Sequence, residues 1–320
     1  MRKHFLAAAA AVVLGSPVTA GEIWVTNEKG NTVSVIDVDS LELVRTIDVG
    51  QRPRGIVFSK DHSKVYVCAS DDDTVQVIDP DTGEVLHELP SGYDPEQFAL
   101  HPNDRYLYIA NEDDAITTVV DTEERTVVAQ IDVGIEPEGV AVSPDGKIAI
   151  TTSETTNMAH WIDVESQEIF HNSLVDQRPR HAEFSKDGSQ LWVSSEIGGT
   201  VSVFNVADQA ELAKIQFEIA GVTPERIQPV GIRMTADGKK GFVALGPSKH
   251  VAVVNGETFE VEDYLLVGRR VWHLEITPDE KYLFTTNGLS NDVTVVDIAS
   301  MKPVKSIPVG EQPWGAAYRP

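Results

Sequence analysis

The apolar residues of this chain fall into short runs, each closed by turn-forming residues. A run such as IWVTN at 23–27, VYVCAS at 65–70 or LYIANE at 107–112 is followed by a polar loop and a longer run: TVSVIDV at 32–38, TVQVIDP at 74–80, TVSVFNV at 200–206. A turn leads to a third run such as LVRTIDVG at 43–50. Then come a Pro-containing connection and a fourth run, such as GIVFS at 55–59 or GVAVS at 139–143. The runs are rich in Val, Ile, Tyr and Trp and show no 3.6-residue period, which predicts strands throughout. Several are apolar at consecutive positions, as at Val293, Val295 and Val296. That pattern suits a sheet covered on both faces.

The stretch 136–157, EPEGVAVSPDGKIAITTSETTN, is one full phrase of this pattern, and it returns along the whole chain. Copies start at Ile23, Val65, Leu107, Ala149, Leu191, Gly241 and Leu283, 42 residues apart except for a spacing of 50 between Leu191 and Gly241. Four strands per copy with both faces covered are the blades of a propeller. The predicted fold is all-β: a seven-bladed β-propeller of four-stranded antiparallel blades. Inner strands follow the Pro segments, at Gly55, Gln97, Gly139, His181, Gly231, His273 and Gly315. The first copy lacks an inner strand of its own, so the C-terminal strand at 314–318 must complete it and close the ring without an open seam. Fourteen residues into each copy stands Asp37, Asp79, Asp121, Asp163, Asn205, Asn255 or Asp297. Seven in register read as turn formers, each side chain bonding the backbone about two residues on, and not as catalytic acids.

The phrase P-x-G-V-A-V-S-P-D-G-K, with L-Y-I-A-N-E and T-V-S-V-I-D, resembles the YVTN family of β-propellers over all of residues 21–320. Within that family it is most similar to the periplasmic propellers associated with pyrroloquinoline quinone (PQQ)-dependent catabolism, which are encoded beside quinoprotein alcohol dehydrogenases and a transport system. The resemblance implies a fold, a compartment and a metabolic setting. It carries over no catalytic residue.

The first twenty residues change the picture of where the chain works. Arg2 and Lys3 precede an apolar run from Phe5 to Leu14, too short to span a bilayer, and Val18-Thr19-Ala20 offers a small-residue cleavage site. The expectation is a cleaved secretory signal at 1–20 and a single propeller domain at 21–320 in the periplasm, monomeric and without a membrane anchor. The formal net charge of -24 disfavours nucleic acid and anionic membranes as partners. Cys68 is the only cysteine and sits within a strand, so a buried, inert thiol is expected.

Positions that differ from copy to copy are those left open for function. The residue before the repeat's Pro reads Arg52, Asp94, Glu136, Arg178, Gln228, Arg270 and Gln312; the residue after it reads Arg54, Glu96, Glu138, Arg180, Val230, Trp272 and Trp314. His181 and His273 stand where most copies have Gly. The eight extra residues of the fifth copy, about 219–226, fall in the same connection. Of the twelve Arg beyond residue 20, seven lie in these connections (Arg52, Arg54, Arg178, Arg180, Arg226, Arg269, Arg270), and none of the Lys does. Arg without Lys points to planar, bidentate contact with carboxylates. Two uses follow. The Arg either pair with Asp94, Glu96, Glu136 and Glu138 and tie blades together, or meet an anionic ligand at the channel mouth.

The expected ligand-binding set is Arg52, Arg54, Glu96, Glu138, Arg178, Arg180, His181, Arg270, Trp272, His273 and Trp314, with the two Trp offering flat apolar surface. PQQ, flat and tricarboxylate, is the candidate ligand that the family setting implies. The acidic loops also hold Asp71, Asp72, Asp73, Glu112, Asp113 and Asp114. Of these, Asp71, Asp73, Asp113 and Asp114, together with Asp94, are weak candidates for holding a hard cation. Signatures of serine hydrolases, zincins, c-type haem, P-loops and dinucleotide folds do not occur in the sequence. The expected function is therefore non-catalytic: a periplasmic accessory protein of PQQ-dependent alcohol catabolism, binding a small anionic ligand or a partner dehydrogenase. A lactonase-like hydrolase on the same face and a pure interaction scaffold are the alternatives.

Overall fold

The computed structural model describes residues 21–320; the expected signal at 1–20 lies outside the described residues. Seven four-stranded antiparallel sheets stand around a central axis. Six are built from consecutive strands, for example Pro53–Phe58, Val65–Ala69, Thr74–Ile78 and Val85–Pro90 from the inside outward. The remaining blade is shared by the two ends of the described chain. Strand Pro313–Arg319 lies inside Glu22–Asn27, with Ile23 opposite Tyr318 and Val25 opposite Ala316. The C-terminal strand therefore closes the ring, as the phase of the repeat predicts.

The core is divided rather than central. Each of seven buried apolar clusters fills one interface between neighbouring blades. One joins Trp24, Val33 and Val35 of the shared blade to Val65, Val67 and Ile78 of the next. This arrangement explains the consecutive apolar positions, since both faces of every blade meet a neighbour. Cys68 is fully buried in such a cluster, and burial pushes its thiol pKa well up.

The seven Asx residues fix turns as expected. The backbone N–H of Ser40 donates to Asp37 at 2.7 Å, that of Asp81 to Asp79 at 2.8 Å, that of Glu123 to Asp121 at 3.0 Å, and that of Ser166 to Asp163 at 2.8 Å. Ala207 to Asn205, Glu257 to Asn255 and Ser300 to Asp297 complete the series.

Around the axis the inner strands alternate glycine with a polar side chain: Gly55, Gln97, Gly139, His181, Gly231, His273, Gly315. Glycine is needed because blades converge there. A Cβ on Gly139 would lie 2.7 Å from the carbonyl oxygen of Arg180 and 3.0 Å from Cα of His181. The odd number of blades leaves two glycines, Gly315 and Gly55, side by side.

Candidate functional site: an ion-paired channel mouth over a polar waist

The connections entering the inner strands form one end of the channel. In six of them the residue before Pro or the inner strand has positive φ: Arg52, Asp94, Glu136, Arg178, Arg270 and Gln312. Such a backbone is uncommon for L-residues, and side chains of the neighbouring hairpin hold it. The N–H of Arg52 donates to Asn31 at 3.0 Å, that of Asp94 to Asp73 at 3.0 Å, that of Arg178 to Asn157 at 3.1 Å, and that of Gln312 to Asn291 at 3.0 Å. This device brings the side chains before and after Pro together over the axis.

There the five guanidiniums meet carboxylates. Arg52 contacts Asp71 at 2.7 Å, Glu96 at 2.8 Å, and Asp94. Arg54 contacts Glu28 at 3.2 Å, Glu138 at 3.8 Å, and Glu96. Arg180 contacts Glu138 at 2.9 Å, Glu196 at 3.7 Å, and Glu154. Arg178 contacts Glu154 at 2.8 Å and Glu196 at 3.2 Å; Arg270 contacts Glu196 at 2.6 Å and the side-chain oxygen of Gln228 at 2.5 Å. Glu96 and Glu138 are fully buried, and Arg180 is 3% exposed. Charges so deep persist only in mutual contact, because losing one partner strands the other out of water; at Glu138 burial outweighs Arg180 and Arg54 and raises the carboxyl well above its ordinary range.

The expected pairing of Arg with mouth carboxylates is thus present, with one correction of partners. Glu136 meets no Arg among the described residues; it accepts a hydrogen bond from the Thr155 hydroxyl. Glu28, Glu154 and Glu196 take its place. These three were missed, although the sequence carried a signal for them. With Glu112 they stand five residues after the copy starts Ile23, Leu107, Ala149 and Leu191.

Burial opposes ionisation of Glu96, but Arg54 and Arg52 overcome it and hold its carboxyl below the ordinary range. Among the described residues, no guanidinium lies within salt-bridge distance of Glu112. Burial and the neighbouring Glu96 carboxylate push its pKa up to about 8, so at neutral pH its carboxyl donates a hydrogen bond to Glu96. Burial and Glu96 likewise raise Asp94 to about 6, against the pull of Arg52.

The five expected cation ligands do not converge. Asp71 is paired with Arg52, Asp73 accepts the N–H of Asp94, Asp114 accepts the N–H of Tyr93 at 2.7 Å, and Asp113 is exposed. Asp94 alone joins a compact group, with Glu96 and Glu112, whose oxygens lie within 4.8 Å of one another. Arg52, Arg54 and the proton on Glu112 already neutralise that group.

The aromatic surface is also committed. Trp314 is 1% exposed, beneath the Arg54 guanidinium. Trp272 is half-buried, with the Arg270 guanidinium 4.0 Å from its ring centroid. His181 and His273, expected at the mouth, lie one layer deeper. With Gln97 they form the channel's waist, the two imidazole centroids 5.3 Å apart and the His273 ring tilted by 47° against Trp314 at 4.2 Å. Burial lowers the pKa of both imidazoles, that of His273 well below its ordinary value, so both are neutral.

A closed ring of seven antiparallel blades, its channel stoppered at one end by buried ion pairs, defines a β-propeller of the seven-bladed class. The chain belongs to the YNCE-like beta-propeller family, which matches residues 6–318. Solved structures of the same fold include the hydrazine synthase of Kuenenia stuttgartiensis, 18% identical with a TM-score of 0.80, covering 92% of this chain and 99% of that one. A protein of Bacteroides fragilis NCTC 9343 proposed to be a 6-phosphogluconolactonase is 20% identical with a TM-score of 0.79, covering 96% and 99%. The dihydro-heme d1 dehydrogenase NirN is 16% identical with a TM-score of 0.70, covering 94% of this chain and 75% of that one. At these identities the likeness is one of fold. No curated protein sequence matches the chain.

Proposed function

We propose that this protein is a non-catalytic accessory protein of PQQ-dependent alcohol catabolism in the periplasm, and that it docks a partner dehydrogenase on the face carrying the ion-paired mouth. The compartment and the metabolic setting rest on the export-type N-terminus and on the family resemblance. The observation that supports docking over small-anion capture is that all five mouth guanidiniums are paired with carboxylates. At Arg52, Arg54, Arg180 and Arg270 a small anion would have to strip the guanidinium from a buried carboxylate, at a cost of about 3–5 kcal/mol. A new charged hydrogen bond returns about 1.5–3 kcal/mol. PQQ, with three carboxylates, meets one guanidinium with N–H groups free among the described residues, that of half-exposed Arg178, which contacts Glu154 and Glu196 through Nε. Arg52, Arg54, Arg180 and Arg270 are committed, so the mouth offers three carboxylates a single fork, and in this reading the cofactor stays with the dehydrogenase.

A protein surface needs no such exchange. It reads fixed charges: an acidic sector with Asp71, Asp72, Asp73, Asp113 and Glu136, and a sector with Arg226 and Arg269, whose guanidiniums, among the described residues, meet only the carbonyls of Pro247 and Leu289. Such a pattern sets orientation and association rate. Sedimentation of the purified protein with a quinoprotein alcohol dehydrogenase of the same periplasm tests this. A complex is expected at low salt, weakened about tenfold or more by the double charge reversal Asp113→Lys and Glu136→Lys. Absence of a complex at low salt would overturn the reading, and turnover of a lactone panel would replace it with the hydrolase alternative.

A further inference from the structure

The other end of the channel holds a different site. Below the waist a cavity of about 330 Å³ opens on the face of the Ser-Pro-Asp-Gly turns, at the small end of the range for ligand pockets. One wall is apolar, with Val57, Ala99, Ala141 and Ala316. The other is polar: His181, His273, Glu183 and Arg233, with Glu275 behind. Glu183, Arg233 and Glu275 share the register position four residues after the repeat's Pro, where Val57, Ala99 and Ala141 stand on the apolar wall; His181 and His273 stand two residues after it.

Hydrogen-bond donors outnumber their partners here. Arg233 uses Nε on Glu275 at 3.2 Å and Nη1 on Glu183 at 3.2 Å and on the Ile232 carbonyl at 3.0 Å; its Nη2 makes no bond to the described residues. His181 is satisfied. Nδ1 donates to Gln97 Oε1 at 3.1 Å, because Gln97 Nε2 donates to the Arg180 carbonyl, and Nε2 faces Arg233 Nη1 at 3.5 Å. His273 is 5% exposed, and its side chain makes no hydrogen bond among the described residues. The indole N–H of Trp314, an obligate donor on a residue that also lines the cavity, is buried and has no partner among the described residues. The contrast within the same molecule is sharp. Trp24, Trp161 and Trp192 each donate to a side-chain oxygen at 2.9 Å, and buried His160 contacts Asn172, Ser153 and the Gly134 N–H. Buried polar groups in native proteins are paired, so orphaned groups around a cavity mark what is meant to enter it.

A metal ion is disfavoured, since the Arg233 guanidinium faces the one ring nitrogen that His181 has to offer. From the unmatched donors, the apolar opposite wall and the exposed Lys186 ammonium at the rim, we infer that this cavity binds a small carboxylate with an apolar body. Its oxygens meet Arg233 Nη2, His273 and the Trp314 N–H. The site is independent of the docking reading, which concerns the opposite face.

Calorimetric titration with benzoate, cyclohexanecarboxylate and butyrate, each beside its primary amide, tests the inference. At least one acid is expected to bind saturably, and its amide at least about tenfold more weakly, the loss of one charged hydrogen bond. His273→Phe, which keeps an aromatic ring against Trp314, should weaken the acid about tenfold. Ala99→Leu, which fills the cavity from its apolar wall, should abolish binding without lowering the melting temperature. No saturable heat with any acid up to about 10 mM, a range that detects even millimolar affinity, would overturn the inference. So would equal binding of acid and amide, or undiminished binding by a folded Ala99→Leu variant.

Discussion

Glu112 and its neighbours show how a single side chain at the mouth responds to what surrounds it. Arg52 and Arg54 reach Asp94 and Glu96 and stop short of Glu112, which holds a proton instead. A carboxyl whose pKa rises from 4.5 in the unfolded chain to about 8 in the fold binds its proton more tightly when folded. Its contribution to stability is full below pH 4.5 and is lost as pH climbs toward 8. Asp94 adds a weaker term of the same sign between 3.8 and about 6. Glu112→Gln keeps the hydrogen-bond donor and removes the titration. Melting curves between pH 5 and pH 9 should show the wild-type protein losing stability relative to this variant as pH rises; parallel curves would show that Glu112 titrates normally.

At the scale of the strand, the alternation of glycine and polar residues decides how closely the blades approach. The N–H of Gly139 donates to the Thr152 hydroxyl at 2.9 Å, and its missing side chain lets the Arg180 carbonyl pass. Second-strand hydroxyls of other blades tie neighbouring blades together: Thr26 donates to the Arg54 carbonyl at 2.8 Å and Thr286 to that of Trp314 at 2.6 Å. Because the nearest atom that a new Cβ at 139 meets is the Arg180 backbone carbonyl oxygen at 2.7 Å, with the Thr152 hydroxyl at 2.9 Å and His181 Cα at 3.0 Å behind it, rotamer changes alone cannot relieve the clash. Gly139→Ala should cost about 1–3 kcal/mol as an overpacking change, read as a lower denaturant midpoint. The outer strands of the same blades should tolerate substitution, since Val127 and Val128 are exposed.

For the whole molecule, closure converts seven separate interface cores into one cooperative structure. The strand Pro313–Arg319 pairs with Glu22–Asn27 and also brings Ala316 and Tyr318 to one interface and Ala317 to the other. Deleting residues 312–320 removes a full ladder of hydrogen bonds and opens both interfaces together. The expected outcome is aggregation or a broad, non-cooperative melting transition, because the bared edge of Glu22–Asn27 pairs with other chains. A truncated protein with an unchanged, sharp transition would show that the ring closes by other contacts.

The number of blades, the shared closing blade, the Asx turns and the crowding of Arg at one end were all legible in the sequence. Each is a register property: in a repeat, equal sequence phase means equal height and radius around the axis. Register also carried two signals that went unread, the Glu28, Glu112, Glu154 and Glu196 series and the Glu183, Arg233, Glu275 wall. What each residue touches was decided in three dimensions. Glu136 shares the phase of Arg52 and Arg178 yet meets a threonine, while Arg178 bridges to Glu154 and Glu196 from neighbouring blades. Trp314 occupies a mouth position and is buried under Arg54; His273 shares a phase with glycines and is left without a partner above the lower cavity. Sequence phase fixes the layer of the channel in which a side chain begins. Its partner depends on reach across the axis, and seven blades of unequal side chains do not divide that space symmetrically.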